Sequence, residues 1–203
     1  MLPSPLRPPR SAARVRQDQL DGRAGWAEYV AEQFTVDEGA LRGREAQLDA
    51  RRRRDALERA DRALATKAGT TATVDRVRAL VAHRQAWLRD KLARGFADAG
   101  IEVLDVVEDG ADALGATVAQ QPELLVVEQL LPSLSGLEVV RHVRRFAPRT
   151  LVAGLVEGQD VHDLLDTGAA AAFARRVPPA VVVEELVRLL HLETEPVGPL
   201  VVT

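Results

Sequence analysis

The sequence predicts an α/β protein with a doubly wound, five-stranded parallel sheet in the strand order 2-1-3-4-5, preceded by an N-terminal helical hairpin or coiled coil. Between residues 74 and 192, five apolar runs of strand length alternate with five helical patterns through short connections. The third run, residues 124–127, is wholly apolar, as expected for a strand buried on both faces of a parallel sheet. Because crossovers between parallel strands are right-handed, this alternation allows few topologies.

The first part of the chain is predicted to be a tail and a helix. Residues 1–13 contain four prolines and little to bury, so we expect a disordered tail. Residues 14–69 are predicted to form a helical extension, whose first helix covers part of 14–20 and resumes from 24 to 34 after a break at Asp21-Gly22. Helical spacing places four large side chains on one face that needs a covering partner: Trp26, Tyr29, Val30 and Phe34.

A second helix is predicted to start at a capping box, Thr35 to Glu38, and to end at Gly69. Its leucines are spaced by seven with one slip, so an antiparallel hairpin and a short dimeric coiled coil both fit. Four consecutive arginines are predicted to form a solvated, salt-bridged face, and contact with nucleic acid or an acidic partner is the alternative: Arg51, Arg52, Arg53 and Arg54.

Residues 74–192 are predicted to form the globular domain, and residues 193–203 a C-terminal tail. The expected strands are residues 77–81, 101–107, 124–127, 151–156 and 170–174. The expected helices are residues 83–99, 111–119, 137–146, 161–166 and 180–192. Gly100, Pro148 and Gly168 follow helices that they are suited to end.

The last helix, residues 180–192, is apolar on two sides. One stripe consists of Val182, Leu186 and Leu189. The other consists of Val183, Val187 and Leu190. Since only one stripe can face the sheet, we expect a second copy of the chain or its own N-terminal helix to cover the other. This expectation, together with the aromatic face, predicts a homodimer.

Composition and charge limit the kinds of protein that this sequence can form. An apolar fraction of 46% in 203 residues suffices for one core, and the absence of cysteine excludes disulfides and thiolate chemistry. No apolar run is long enough to cross a membrane, so we expect a cytoplasmic protein without a membrane partner. The net charge is +3 over residues 1–67 and −6 over the remainder, which fits a basic helical arm on an acidic domain.

Glu128 directly follows the third strand, and Pro132 and Gly136 follow it in the next loop. This pattern resembles the centre of the receiver domain of bacterial response regulators, with Glu in place of the phospho-accepting Asp. The resemblance covers roughly residues 74–192 and implies a flavodoxin-like fold with a site at the carboxyl ends of the strands, beside the switch in strand order.

The residues that carry receiver chemistry are replaced. The resemblance places Ala82 and His83 at the acidic pair and Val156 at the hydroxyl residue after the fourth strand. Arg176 stands for the lysine after the fifth strand, by its spacing from Phe173. One carboxylate beside a neutral imidazole is a poor site for Mg²⁺, so no metal and no cofactor are expected.

We therefore interpret the chain as a pseudo-receiver, a phosphorylation-independent signalling or transcription-regulatory module that is not an enzyme and acts on an unidentified protein partner. Glu128 either pairs with Arg176 in an active-like arrangement or is an inert remnant, and His83 is expected to lie at the surface or line the pocket. Two alternatives remain: a regulator gated by a small molecule in the strand-end crevice, and a nucleic-acid-associated regulator that uses the basic N-terminal helix.

Overall fold

A six-stranded parallel sheet forms the centre of the molecule. The computed structural model describes residues 12–36, 51–52, 54–62, 77–157, 161–192 and 200–202. The strands are β1 (Arg78–Ala82), β2 (Glu102–Val107), β3 (Leu124–Glu128), β4 (Leu151–Val156), β5 (Ala171–Ala174) and β6 (Leu200–Val202). Their order is β2-β1-β3-β4-β5-β6, with every neighbouring pair parallel, which confirms the predicted order of the first five strands.

Seven helical segments surround the sheet in the described part of the chain. The N-terminal segments are α1 (Ala12–Val36) and α2, the helical residues 54–62. The domain helices are α3 (Ala86–Asp98), α4 (Gly110–Gln120), α5 (Gly136–Phe146), α6 (Val161–Asp166) and α7 (Pro179–Leu192). The strands β1 to β5 and the domain helices differ from the predicted bounds by at most three residues. No helix in these described ranges is long and apolar enough to cross a membrane.

Helix α1 is continuous, so the predicted break at Asp21-Gly22 is wrong. A Cβ on Gly22 would lie 2.8 Å from the carbonyl oxygen of Phe146, so glycine here allows the helix to approach the domain closely and does not end it. The predicted start of a second helix at Thr35 is also wrong, because Thr35 lies within α1. Residues 1–11, 37–50 and 63–76, which carry the rest of the tail and extension predictions, lie outside the described residues.

The last strand lies in the segment predicted to be a tail. Leu200 to Val202 pair with Ala171 to Phe173 in parallel, so β5, α7 and β6 form one more strand-helix-strand unit. Three consecutive apolar residues suit a strand at this edge. This strand covers the edge of β5 that a five-stranded sheet would leave open.

Two apolar cores lie on the two faces of the sheet. One core packs α3 and α7 against the sheet, and the other packs α4, α5 and α6 together with the N-terminal helices α1 and α2. Helix α4 is buried from Ala113 to Gln120, on the side facing the sheet and on the opposite side. Its small side chains allow α1 to cover its outer face.

A buried ion pair ties the amino ends of two central strands. Arg78 is 2% exposed, and its Nε and Nη2 donate to the carboxylate of Glu123 at 3.1 and 3.2 Å. The remaining donors of Arg78 reach the carbonyl oxygens of Gln120, at 3.0 Å, and Gln121, at 2.7 Å. The guanidinium of Arg78 is therefore compensated by the carboxylate of Glu123 and by two carbonyl oxygens, as the burial of a charged group requires.

Candidate strand-end site

The four strand ends that the resemblance singled out meet at one edge of the sheet. Ala82 and Val156 are the last residues of β1 and β4, and Glu128 is the last residue of β3. All three are buried, with Glu128 4% exposed. The fold thus brings these three predicted positions together beside the switch in strand order, which lies between β1 and β3.

Glu128 pairs with Arg84, which sequence reasoning missed. The guanidinium of Arg84 donates to Glu128 Oε1 through Nε at 3.1 Å and through Nη2 at 3.0 Å. The backbone N–H of Arg84 donates to Oε2 at 2.7 Å. Both carboxylate oxygens are therefore engaged by one residue, Oε1 by two guanidinium N–H groups in charge-assisted hydrogen bonds and Oε2 by the backbone N–H.

The predicted Glu128–Arg176 ion pair is not formed in this structure. Arg176 is exposed, in the turn after β5. The neighbouring Arg175 lines the pocket beside Glu128 and forms an ion pair with Glu157, which follows β4. The spacing from Phe173 pointed to the wrong arginine of the pair, because β5 ends at Ala174 and the next residue already turns toward the pocket.

His83 is a buried, pocket-lining residue, 1% exposed. Its Nδ1 accepts a hydrogen bond from the backbone N–H of Gln85 at 3.0 Å and lies 3.4 Å from Glu128 Oε2. The Nε2 atom is buried with no hydrogen-bond partner among the described residues. Burial lowers the pKa of His83, the negative charge of Glu128 opposes this, and the arginines around it lower the pKa further: Arg175, Arg84 and Arg89.

The stability of the fold should fall on acidification because of His83. Below a pH of about 6.5 the unfolded chain binds a proton at this residue that the folded protein does not yet bind, so the free energy of unfolding decreases until the lowered folded-state pKa is passed. We expect His83→Asn to flatten this part of the profile and His162→Asn, at an exposed position of α6, to leave it unchanged. Urea denaturation at a series of pH values measures both, and an unchanged slope in His83→Asn would contradict the assignment.

The site does not fit a divalent cation. Mg²⁺ prefers several oxygen ligands in octahedral geometry, whereas Ala82 offers none and the oxygens of Glu128 are held by Arg84. The adjacent guanidinium also repels a cation. No group of three or more metal-ligating side chains occurs among the residues that the structure describes.

Little space is left between these side chains. The pocket has a volume of about 10 Å³, close to the minimum for a single water molecule. Its walls come from the last residues of β3 and β4 and from the residues that follow β1, β3, β4 and β5: His83, Glu128, Gln129, Leu130, Leu155, Val156, Glu157 and Arg175. The arrangement is a closed ion-pair network and not an open reaction centre.

The aromatic face of α1 is covered within the same chain. Trp26 is fully buried and packs edge-on against Phe146 of α5, with ring centroids 5.4 Å apart. Tyr29 lies 5.1 Å from the His142 ring, and Val30 is buried in the same core. The side chain of Phe34 lies outside the described residues. The aromatic face therefore packs on α4 and α5. The expectation that the N-terminal helix covers the second stripe of α7 is wrong.

The second stripe of α7 is also covered within the chain. Val183 and Leu190 are buried and Val187 is half-buried, all in the core that includes α3. A Cβ on Gly95 of α3 would lie 2.9 Å from Val183 Cγ2, so the glycine lets the two helices approach closely. These contacts remove the reason for predicting a homodimer through the two surfaces, since the described side chains of both pack within the chain.

The arginine run lies at the start of α2 and just before it. Arg51 and Arg52 are exposed and Arg54 is half-buried, while Arg53 lies outside the described residues. Three acidic residues share this segment and are exposed as well: Asp55, Glu58 and Asp61. The mixed charge favours the salt-bridged face over a nucleic-acid surface.

The known proteins that this chain resembles include a methylesterase, a transcriptional activator and solved receiver domains of response regulators. No protein-family model matches the chain. A protein-glutamate methylesterase/protein-glutamine glutaminase of Haloarcula marismortui is 29% identical over 105 residues, which cover 50% of this chain and 28% of that protein. The transcriptional activator protein ExaE of Pseudomonas putida is 33% identical over 100 residues, 47% of each chain. The chain thus spans less than half the length of these relatives.

Solved receiver structures have the same fold. The signal receiver domain of the response regulator NarL from Mycobacterium tuberculosis matches with a TM-score of 0.53 at 23% identity, over 57% of this chain and 96% of that chain. The chemotaxis response regulator CheY4 of Vibrio cholerae matches with a TM-score of 0.52 at 20% identity, over 56% of this chain and 98% of that chain. The part of this chain that carries strands β1 to β5 and helices α3 to α7 therefore has the fold of a response-regulator receiver domain, which confirms the resemblance read from its sequence.

Proposed function

We propose that this chain is a phosphorylation-independent receiver, a cytoplasmic regulatory module that acts through contact with another protein. The observation that carries the proposal is the engagement of both Glu128 oxygens by Arg84. An ordinary receiver needs a free carboxylate and Mg²⁺ at this edge of the sheet, because the metal neutralises the charge that develops during phosphoryl transfer. Here the guanidinium of Arg84 is bound to the carboxylate of Glu128.

The class of function is supported by the relatives, among which is a transcriptional activator, and by the response-regulator receiver domains whose fold this domain shares. Contact with a protein is supported by two exposed apolar side chains beside the closed site. Trp87, 57% exposed, lies in the first turn of α3, and Leu130, 50% exposed, follows β3. Large side chains left in water at one edge of a domain are typical of an interaction surface.

Other functions have less support. A metabolite site usually encloses about 300 Å³ or more, and the strand-end pocket has about 10 Å³. None of the residues that line the pocket is Ser, Thr or Cys, so a hydroxyl or thiol nucleophile for covalent catalysis does not lie there. Both carboxylate oxygens of Glu128 are held by Arg84. We therefore propose neither a small-molecule gate at the strand ends nor an enzyme.

The proposal predicts that the phosphoryl analogue beryllofluoride does not bind. Trp87 follows Arg84 by three residues, so its emission should report any rearrangement of the site. We expect no saturable change in emission when beryllofluoride and Mg²⁺ are titrated into the protein. A saturable, Mg²⁺-dependent change that disappears in the Trp87→Phe variant would refute phosphorylation independence, and Trp26, remote on α1, supplies the background signal in that control.

A further inference from the structure

One carboxylate joins the N-terminal extension to the loop beside the closed site. Asp109 is the N-cap of α4, and its Oδ1 accepts from the backbone N–H of Ala111 at 2.8 Å. Its Oδ2 accepts from Arg59 Nη1 of α2 at 3.2 Å and from the hydroxyl of Ser133. The two oxygens therefore have separate tasks, since one caps the helix and the other bridges α2 and the β3–α5 loop.

The β3–α5 loop, residues 129–135, is held against the start of α4 by further contacts. The backbone N–H of Gly110 donates to the carbonyl oxygen of Pro132 at 3.0 Å. A Cβ on Gly110 would lie 1.9 Å from the carbonyl oxygen of Leu134, so only glycine permits this approach. Ser133 adopts a φ of 67°, an unfavourable region for a residue with a side chain. The contact to Asp109 holds the loop in a conformation that Ser133 would otherwise leave.

The same loop forms part of the closed site. It begins directly after Glu128, and Gln129 and Leu130 line the pocket. Its ends are joined by the hydrogen bond from the Gly136 N–H to the Gln129 carbonyl oxygen, at 2.7 Å. A change at Ser133 is therefore transmitted over a few bonded residues to the pocket.

Helix α2 is in turn fixed to the domain by its apolar side. Ala56, Leu57 and Ala60 are buried in the core that α4 and α5 share with α1. Arg59 lies among them on the same helix turn and reaches Asp109 only while α2 is docked. The Arg59–Asp109 ion pair, and with it the contact to the β3–α5 loop, therefore forms only when α2 is docked.

We propose that the N-terminal extension regulates the strand-end loop through Arg59, which positions Ser133 by way of Asp109. This inference rests on the proposed function, because it makes the docking of α2, in place of phosphorylation, the event that controls the loop. Release of α2 by a partner frees Oδ2 of Asp109 from its cation and loosens residues 129–135. Arg59 is 43% exposed and the side chain of Asp109 13%, so the ion pair is weak enough to open and is weakened by salt.

Amide hydrogen exchange of the full chain tests the link. In Arg59→Ala we expect the amides of Gly110, Leu134 and Gly136 to exchange about twofold to fivefold faster, the range set by a half-exposed ion pair. Arg62→Ala, an exposed arginine of the same helix, is the matched control and should leave these amides unchanged. Amides of the central strand β3 should exchange at the same rate in both variants, which separates a local effect from lost stability.

Ser133→Ala removes the link from the other side. It should accelerate the same loop amides and leave the protection of α2 intact, since the apolar contacts of that helix remain. Unchanged loop exchange in both Arg59→Ala and Ser133→Ala, or equal acceleration in Arg62→Ala, would overturn the proposal. Beryllofluoride binding is scored separately on the wild-type protein, so a failure of phosphorylation independence leaves the exchange result readable by itself.

Discussion

Glu123→Leu should lower the free energy of unfolding by about 3–5 kcal/mol, the usual cost of leaving a buried charge without its partner. The variant leaves the guanidinium of Arg78 buried at the amino end of β1, with only the carbonyl oxygens of Gln120 and Gln121 as acceptors. Since a domain of this size is stabilised by about 5–15 kcal/mol in total, the loss should be visible as a large shift of the urea midpoint.

Two controls separate the buried charge from the loss of a salt bridge as such. Arg188→Ala breaks the pair of the exposed Arg188 guanidinium with the half-buried carboxylate of Glu185 on α7 and should cost less than about 1 kcal/mol. The double variant Arg78→Met/Glu123→Leu removes both charges and should recover much of the stability lost in Glu123→Leu. A loss below about 1 kcal/mol in the single variant would show that water reaches Arg78 and that the pair is not a buried one.

Trp26→Ala should cost about 3–5 kcal/mol, as expected when a fully buried aromatic side chain is truncated. The indole packs against Phe146 and Tyr29, and its removal leaves a cavity between α1 and α5. The ion pair of Asp18 with Arg149 is half-exposed and should not hold α1 in place by itself. We therefore expect α1 to detach before the domain unfolds.

The variant carries its own reporter, since Trp87 then remains as the sole tryptophan. Helix loss by circular dichroism should precede the change in Trp87 emission during urea denaturation, whereas the two transitions coincide in the wild-type protein. Leu20→Ala on the same helix, at a side chain 53% exposed, should change stability by less than about 0.5 kcal/mol. Coincident and unshifted transitions in Trp26→Ala would show that α1 contributes nothing to the packing of the domain.

The fold of the domain could be predicted because its signals are local. Apolar runs such as residues 124–127 and glycines such as Gly100 and Gly168 mark strands and helix ends without any knowledge of the tertiary structure. The short strand β6 was missed because three apolar residues near a chain end carry little periodicity, and its pairing depends on the exposed edge of β5.

The packing of the extension could not be predicted because it depends on surfaces distant in sequence. The apolar stripe of α7 suggested a partner, but Gly95 brings α3 against it. The stronger signal was α4, which has one charged residue in eleven and must be covered on both sides. The helix break predicted at Gly22 was also wrong because the glycine is needed for a contact distant in sequence, the close approach to Phe146.

At the site, Ala82, His83, Glu128 and Val156 lie at the strand ends as the sequence predicted, but Arg84, and not Arg176, is the cation that pairs with Glu128. The family pattern directs attention to the residue after β5, whereas Arg84 occupies a position to which that pattern gives no role. A guanidinium two residues beyond a strand end can reach either neighbouring strand, and the sequence does not decide between them.

The most direct measurement for the account is the intact mass of the full chain after incubation with acetyl phosphate and Mg²⁺. An ordinary receiver treated in parallel should gain one phosphoryl group, and this protein should gain none, because Arg84 holds the only carboxylate at the strand-end pocket that stands in the acceptor position. A Mg²⁺-dependent gain of one phosphoryl group that Glu128→Gln abolishes would contradict the account, since it would show that Glu128 leaves its ion pair and accepts phosphate.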